Sequence, residues 1–315
     1  IFRKLKSCGY GNQNNGGLIY RPSSKKLNLL NYQEVDDWFA IHKPTVVIIA
    51  AAKVGGIVAN NSHPTEFILN NLKIQTNIIE LAWKHKVKRL LFLGSSCIYP
   101  KFARQPIKED YLLTGELEPT NQWYAVAKIS GLKLCQALRI EHGFDAISLM
   151  PTNLYGPGDN YNKENSHVLP AFIIKFFEAY QSGNKDVQCW GSGSPLREFL
   201  HVDDLADACL FALDNWSPNF PNAPLDEYGE PITWLNVGTG KEISIKELAS
   251  MISSQIGFRG KIIWDETKPD GTPRKLLDIS LIRSIGWEPR ISLIKGIKST
   301  IDEFKIKYAR DQLRK

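Results

Sequence analysis

The chain has 315 residues, 43% of them hydrophobic, and a formal net charge of +6 at pH 7. This length predicts about two domains or lobes and is sufficient to bury a full core. No apolar run approaches the roughly 20 residues that span a bilayer, and no signal peptide is recognisable, so we expect a cytoplasmic protein without a membrane partner. Lysines and arginines are spread along the chain, which argues against the basic stripe of a nucleic-acid-binding protein.

The five cysteines lie far apart and form no Cys-x-x-Cys pair; they are Cys8, Cys97, Cys135, Cys189 and Cys209. Such spacing predicts neither a disulfide framework nor a zinc site. We therefore expect free thiols and no bound metal.

The first half of the chain alternates apolar runs with longer helical segments. Ile1, Phe2 and Leu5 have helical spacing, and Gly9 is placed to end that helix. Strands are then predicted at 16–22, 45–52, 88–96 and 144–150, and helices at 32–43, 64–86 and 121–143. Continuous apolar strands between helices predict an α/β fold with a doubly wound, Rossmann-like parallel sheet.

The alternation loosens beyond Pro151. The segments 153–167 and 214–231 are rich in Asn, Pro, Gly and Asp and predict loops. A strand that runs into a helix capped at Asp203 or Asp204 is predicted within 197–215, followed by a strand at 233–240 and helices at 244–257 and 293–308. We expect a dinucleotide-binding domain at 1–155, to which segments near 198–214 and 231–257 return, and a smaller substrate-binding lobe formed mainly by 156–315.

In open parallel sheets, ligands bind beyond the carboxyl ends of the strands. Three strand ends, "AAAKVGG", "GSSC" and "MPTNLYGP", are therefore expected to line one cleft. Tyr124 and Lys128 follow the second of them, four residues apart on one face of a predicted helix. A lysine beside a phenol lowers the tyrosine pKa and makes tyrosine a usable proton donor. This pair alone is weak evidence, because a core aromatic residue followed by a surface lysine gives the same pattern.

Ser95 at a strand end, followed by Tyr124 and Lys128, resembles the catalytic set of the extended short-chain dehydrogenase/reductases. The longer strings "LGSSCIYP", "WYAVAK", "MPTNLYGPGDN", "NSHVLPA", "REFLHVDD" and "KPDGTPRKLLD" resemble the members that act on a GDP-linked keto sugar. The resemblance runs from near the first residue to about Trp287. It implies that the chain epimerises GDP-4-keto-6-deoxy-D-mannose at carbons 3 and 5 and reduces the 4-keto group with NADPH to give GDP-L-fucose.

The resemblance also implies roles for individual residues. Tyr124 would protonate the 4-oxygen with the help of Ser95, Lys128 would hold the nicotinamide ribose, and Cys97 and His167 would exchange protons at the sugar carbons. The implied NADP(H) contacts are Leu93, Gly94, Ser95, Ser96, Lys128, Pro151, Thr152, Asn153, Leu154 and His167. The implied GDP-sugar contacts are Lys175, Trp190, Arg197 and Asp270. A homodimer through the helices 64–86 and 121–143 is implied as well.

The residue chemistry agrees with these roles. Both sugar carbons flank a carbonyl, so a modest base removes their protons as an enolate forms, and cysteine and histidine ionise close enough to neutrality to act as base or acid. Arg21 follows a predicted strand where an arginine suits the extra phosphate of NADP, although it is equally an ordinary surface residue.

Plainer explanations stay open for the other residues. Cys97 is small enough to serve only as packing, His167 is placed to cap a helix, and Lys175 is placed as a solvated helix residue. Trp190 is open to a core role, and Arg197 to a simple ion pair with Glu198 or an aspartate.

The sequence departs from the family at its start. A dinucleotide fold opens with a strand and a glycine-rich turn, and neither is present. We therefore expect a piece of a longer protein that alone binds NADPH poorly and is badly destabilised, with the absent strand between those at 16–22 and 88–96.

The sequence leaves three alternative functions to consider. Family dehydratases carry Asp-Glu where this chain has Ser96 and Cys97, which argues against dehydration, and a 4-epimerase has no need of a Cys97 and His167 pair. The third alternative is a catalytically inert nucleotide-binding fragment.

Overall fold

The computed structural model describes residues 1–12, 17–163, 166–268 and 270–314. Its helices are α1 (Phe2–Ser7), α2 (Tyr32–His42), α3 (Ile57–Ser62), α4 (Pro64–Lys84), α5 (Gln122–His142), α6 (Val168–Ser182), α7 (Val202–Asn215), α8 (Ile245–Ile256), α9 (Ser280–Ser284) and α10 (Leu293–Ala309). Its strands are β1 (Val46–Ile49), β2 (Arg89–Leu93), β3 (Ala146–Pro151), β4 (Asn153–Tyr155), β5 (Asp186–Trp190), β6 (Leu196–His201), β7 (Trp234–Val237), β8 (Glu242–Ser244), β9 (Lys261–Asp265) and β10 (Arg274–Lys275).

The main sheet has four parallel strands in the order β1-β2-β3-β7. Every residue of β3 and all but the first of β2 are buried, which requires cover on both faces. Helices α4 and α5 pack side by side and contact this sheet, and α7 also contacts β2. The predicted α/β fold with a parallel sheet is therefore confirmed.

A second set of elements surrounds a core of its own. Strand β6 pairs in parallel with β4 and β10 and antiparallel with β8, and β5 pairs with β9. Helix α6 packs against α8, and Phe176, Ile252 and Phe304 are among the buried residues of this second core. Within the described ranges, none of the helices has the combination of length and apolar character that a membrane crossing needs.

The predicted strand at 16–22 is wrong for residues 17–22; Gly16 lies outside the described residues. A strand needs a hydrogen-bonded neighbour, and no described strand pairs with this segment. Tyr20 instead packs edge-on against Trp38 and His42, and Leu18 is 76% exposed. Because β2 pairs with β1 on one side and β3 on the other, a strand between 16–22 and 88–96 would lie next to β1 and not next to β2.

Two local predictions in the second half need correction. Helix α7 is capped by His201, whose Nδ1 accepts the N–H of Asp203 at 3.2 Å, and not by an aspartate. Asp204 is buried and its carboxylate instead accepts the backbone N–H groups of Arg290 and Ile291. The predicted loop at 153–167 begins with the short strand β4, which was too short for the sequence pattern to reveal.

Candidate active site

The candidate site begins where β2 ends, in the segment "GSSC". Ser95 has an extended backbone, and its Oγ accepts the N–H of Cys97 at 3.2 Å, which starts a short 3₁₀ turn at Ser96–Ile98. A Cβ atom on Gly94 would lie 2.2 Å from the Sδ of Met150, so glycine leaves room for that side chain. Tight packing therefore places a serine and a cysteine at the mouth of a buried strand.

Lys128 lies beneath this strand end on α5. Its side chain is buried, its Nζ donates to the carbonyl oxygen of Leu93 at 2.8 Å, and the same Nζ lies 5.8 Å from the ring centroid of Tyr124. Burial lowers the pKa of Lys128 to about 8. Because Lys128 follows Tyr124 by one helical turn, both side chains point to the end of β2.

The sequence predicted a lowered pKa for Tyr124, but in the structure this pKa is raised. Burial is the largest cause, a negative charge on Cys97 adds to it, and a hydrogen bond with Ser95 acts in the opposite direction. The predicted lowering by Lys128 is absent because the ammonium is directed at the Leu93 carbonyl. Ser95 and Tyr124, two of the three residues of the predicted reductase set, are thus close enough to act on one another.

Cys97 is half-buried, and two donors approach its sulphur. Nζ of Lys275 lies 3.3 Å from Sγ and Nδ2 of Asn121 lies 3.7 Å from it. Both residues line a cavity of about 20 Å³ together with Cys97, Ser96 and Glu118. This volume holds roughly one water molecule.

His167 stands at the start of α6, where the predicted helix cap would be, but its side chain makes no capping hydrogen bond. His167 is an exposed residue, yet desolvation by surrounding protein lowers the pKa of its imidazole, and the charge of Lys275 lowers it further. Because Lys275 also contacts Cys97, one ammonium group acts on both members of the predicted proton-exchange pair.

Arg197 lies on β6 and is half-buried. Burial lowers its pKa, while the charges of Cys97, Asp270 and Glu118 raise it, so these residues share one electrostatic environment. The predicted alternative of an ion pair with Glu198 is not formed, because that buried carboxylate accepts backbone N–H groups of Thr239, Gly240 and Leu277. The guanidinium instead donates to its neighbouring carbonyl, that of Leu196, at 2.8 Å.

The other three predicted substrate contacts lie on more open elements. Nζ of Lys175 donates to the Gln188 carbonyl at 2.9 Å. Trp190, the last residue of β5, is 59% exposed, and the Nζ of Lys268 lies 5.8 Å from its ring centroid. Asp270 accepts two hydrogen bonds of 2.8 Å from the N–H and Oγ of Ser192 in the loop after β5.

The remaining predicted cofactor contacts have defined structural partners. Oγ1 of Thr152 and Nδ2 of Asn153 donate to the carbonyl oxygen of Glu198 at 3.2 Å and 2.8 Å. Pro151 is the last residue of β3, Leu154 lies within β4, and Ser96 is 3% exposed. Arg21 is exposed, and its guanidinium carbon lies 4.3 Å from the centroid of the Phe2 ring, so its described contact is with α1.

Sequence reasoning missed three residues of this site: Lys275, Asn121 and Glu118. Lys275 is part of the string "KPDGTPRKLLD", and Asn121 stands three positions before Tyr124. Only the fold shows that these side chains converge on the cavity beside Cys97. Their residue types alone, an amide and two charged groups in polar segments, are typical of solvated loops.

A parallel sheet with Ser95, Tyr124 and Lys128 at one strand end defines an enzyme of the short-chain dehydrogenase/reductase type. The chain belongs to the NAD dependent epimerase/dehydratase family, whose model matches residues 9–222.

Three individual relatives show which members of this family the chain is similar to. Over 302 residues the chain is 55% identical to GDP-L-fucose synthase 1 of Arabidopsis thaliana, covering 96% of this chain and 88% of the relative. It is 49% identical over 283 residues to GDP-L-fucose synthase of Escherichia coli (strain K12), covering 89% and 86%. A crystal structure of a GDP-L-fucose synthetase from Naegleria fowleri bound to NADP has a TM-score of 0.84 at 27% identity and covers 100% of this chain and 91% of that chain.

Proposed function

We propose that this protein converts GDP-4-keto-6-deoxy-D-mannose to GDP-L-fucose, by epimerisation at carbons 3 and 5 and NADPH-dependent reduction of the 4-keto group. The observation that carries the proposal is a thiol, Cys97, beside the Ser95 and Tyr124 hydroxyls at one strand end. A reductase alone has no use for that thiol. Relatives named GDP-L-fucose synthase at 49% and 55% identity support the same conclusion.

The epimerisation needs a base on one face of the sugar and an acid on the other. Carbons 3 and 5 each flank the keto group, so removal of either proton leaves its electron pair in an enolate on the 4-oxygen. We assign this proton exchange to Cys97 and His167, since a thiol and an imidazole both ionise near neutral pH. The hydroxyls of Ser95 and Tyr124 are placed to donate hydrogen bonds to the enolate oxygen.

The reduction needs a proton donor at the same 4-oxygen. Burial raises the pKa of Tyr124, so the phenol is protonated at neutral pH and is available as the donor. Ser95, which lies close enough to Tyr124 to influence its pKa, helps to orient the phenol. The two reactions therefore share one oxygen and one pair of hydroxyls, and differ in the groups that act on carbon.

The residues at the ends of β2 and β3 fit a nicotinamide dinucleotide. Dinucleotides bind at this edge of such sheets, and Lys128 places a buried ammonium there. When bound, NADPH supplies the hydride. We propose that Lys128 holds the nicotinamide ribose. The other cofactor contacts implied by the sequence, at the ends of β2 and β3, would line the dinucleotide. Arg21 would favour NADPH over NADH by binding the extra phosphate.

The substrate's GDP moiety offers a diphosphate and a flat base. We propose that Arg197 and Lys175 bind the diphosphate, because guanidinium and ammonium groups suit phosphate oxygens. The exposed ring of Trp190 is suited to stack on the base, and Asp270, anchored through Ser192, holds the adjoining loop and accepts hydrogen bonds from the ligand. These four assignments define the substrate side of the site.

A nucleotide-sugar dehydratase and a 4-epimerase are less well supported. A dehydratase needs an acid and a base for the loss of water, and Ser96 and Cys97 are poorly suited to those roles. A 4-epimerase gains nothing from a second acid/base pair formed by Cys97 and His167. An inert nucleotide-binding fragment gives no reason for Lys275 to contact the cysteine.

The test is an assay of the purified protein with GDP-4-keto-6-deoxymannose and NADPH. The proposal predicts that NADPH is oxidised in a one-to-one ratio with GDP-L-fucose, identified by chromatography and mass spectrometry. A dehydratase or a 4-epimerase regenerates its cofactor and would consume no stoichiometric NADPH. The absence of NADPH oxidation under conditions where NADPH binds would overturn the proposal.

We propose further that residues 1–155 form the cofactor domain and that 156–315 form mainly the substrate lobe, with the returning segments expected from the sequence. Two separate hydrophobic cores support two lobes: Leu205 and Leu235 of the returning segments lie in the first core, whereas Leu248 and Ile252 lie in the second. We also propose a homodimer through α4 and α5, which expose Leu69, Val126 and Ile140. Light scattering tests this assembly.

A cytosolic location is proposed because all five cysteines are free.

A further inference from the structure

Lys275 has no role in the assignments made so far, although it touches the sulphur of Cys97. Its Nζ lies 3.3 Å from that Sγ across 178 positions of sequence, and its charge is also felt by His167. A contact between such distant positions does not arise from local chain geometry. It depends on how the segment that carries Lys275 is held against the end of β2.

Strand β10 is fixed by its neighbours on both sides. Gln105 accepts the N–H of Leu276 at 2.8 Å and donates to the carbonyl of Arg274 at 3.3 Å, so one amide side chain bridges the residues on either side of Lys275. The guanidinium of Arg274 is also paired with both carboxylate oxygens of Glu242. The backbone that carries Lys275 is therefore restrained at each adjoining residue.

A buried carboxylate restrains the same segment from the interior. Glu198 accepts the N–H of Leu277 at 3.0 Å, and β10 pairs in parallel with Leu196 and Arg197 just before it. Because Glu198 also holds the loop after β7 through Thr239 and Gly240, three segments meet at one carboxylate. Lys275 is thus presented to Cys97 by a rigid framework.

We infer that Lys275 is the electrostatic partner of Cys97, and that its ammonium stabilises negative charge on the Cys97 sulphur when that sulphur exchanges protons with the sugar. An ammonium 3.3 Å from sulphur favours the thiolate over the thiol by Coulomb attraction, and more strongly in a half-buried site than in water. In the exchange, the sugar C–H bond breaks, an S–H bond forms, and the electron pair passes into the enolate. Lys275 keeps its own protons and acts through Cys97.

This inference rests on the proposed function for its purpose, but its test needs no substrate. Iodoacetamide is uncharged and alkylates thiolates, so its rate at Cys97 reports the ionised fraction. We expect Lys275→Met to slow alkylation of Cys97 at pH 7 by about tenfold, as expected for loss of a cation in contact with the group. The rate is followed by mass spectrometry of the peptide that contains Cys97.

Two features separate this effect from a damaged fold. Alkylation of Cys8, which is exposed, should be unchanged in the same samples and serves as an internal control. The difference at Cys97 should disappear at a pH high enough to ionise the thiol in both proteins. Lys275→Arg keeps the charge and should retain the wild-type rate within about threefold.

Gln105→Ala tests the backbone restraint, because it removes the amide bridge to Arg274 and Leu276 and leaves the charge of Lys275 in place. We expect it to slow alkylation of Cys97 by less than Lys275→Met does. Wild-type alkylation of Cys97 in Lys275→Met, or equal slowing in Lys275→Met and Lys275→Arg, would overturn the inference. A failure of the proposed function would appear separately, as absence of GDP-L-fucose with the alkylation pattern intact.

Discussion

The two sides of the proposed site are built differently. The reductase cluster (Ser95, Tyr124 and Lys128) comes from one buried strand end and one helix, and Lys128 is only 4% exposed. The substrate cluster (Lys175, Trp190, Arg197 and Asp270) comes from separate elements, with Trp190 59% exposed. Proton transfer needs fixed geometry and a low dielectric, whereas a large charged ligand needs open surface to enter.

This difference predicts that the reductase cluster controls rate. Tyr124→Phe keeps the ring and removes the proton donor, so NADPH oxidation with the keto sugar should fall by about 10²–10⁴-fold. Solvent deuterium should still enter the sugar, because Cys97 and His167 remain. The absorbance of NADPH and mass spectrometry of the recovered sugar nucleotide measure the two effects.

A matched control is Tyr228→Phe, since Tyr228 is 83% exposed and lies outside the proposed site. It should oxidise NADPH at the wild-type rate. If Tyr124→Phe does so as well, the tyrosine is not the proton donor and the reductase cluster has been assigned wrongly.

The substrate cluster should control binding. Stacking of a base on an aromatic ring contributes about 1–3 kcal/mol, so Trp190→Ala should raise the KM for the GDP-sugar by about 5–150-fold with little change in kcat. Thermal stability should change little, because an exposed side chain contributes within about ±0.5 kcal/mol. Steady-state kinetics and a melting curve test both statements.

Phe220→Ala, which truncates another exposed aromatic side chain, should leave the KM unchanged. An unchanged KM in Trp190→Ala would exclude the stacking role. A large loss of stability in that variant would instead indicate the core role that the sequence left open.

The pH dependence of stability tests how strongly the interior beneath the site excludes water. Glu109 is 2% exposed, accepts the N–H of Asn236 at 2.8 Å, and has a pKa raised by burial from 4.5 to about 8. The unfolded chain therefore releases this proton at a lower pH than the folded protein. The stability penalty is absent below about pH 4.5 and complete above about pH 8, so stability falls as pH rises between these values.

Glu109→Gln removes this titration. Relative to the variant, the wild-type free energy of unfolding should fall across that range by at most about 1.4 kcal/mol per pH unit, as measured by denaturant unfolding at a series of pH values. Glu141→Gln, at an exposed position, should parallel the wild type. Parallel curves for wild type and Glu109→Gln would show that Glu109 ionises freely.

The contrast between the buried reductase cluster and the more open substrate cluster also explains what the sequence could predict. Buried strands and amphipathic helices leave periodic patterns, so β2, α4, α5 and the Tyr124 and Lys128 pair were correctly placed. The segment 17–22 was misassigned because an apolar run does not show whether a neighbouring strand is present. Lys275 was missed because its contact with Cys97 depends on Gln105 and Glu198, far away in sequence.

The proposed cleft performs two reactions that differ in the groups acting on carbon, and Cys97→Ser tests this most directly. Deuterium uptake from solvent at the sugar carbons should fall by about 10²–10⁴-fold, because a hydroxyl ionises far less readily than a thiol, while an already epimerised keto sugar is still reduced. Cys8→Ser, at an exposed cysteine, should behave as wild type. Unchanged deuterium uptake in Cys97→Ser would contradict the account.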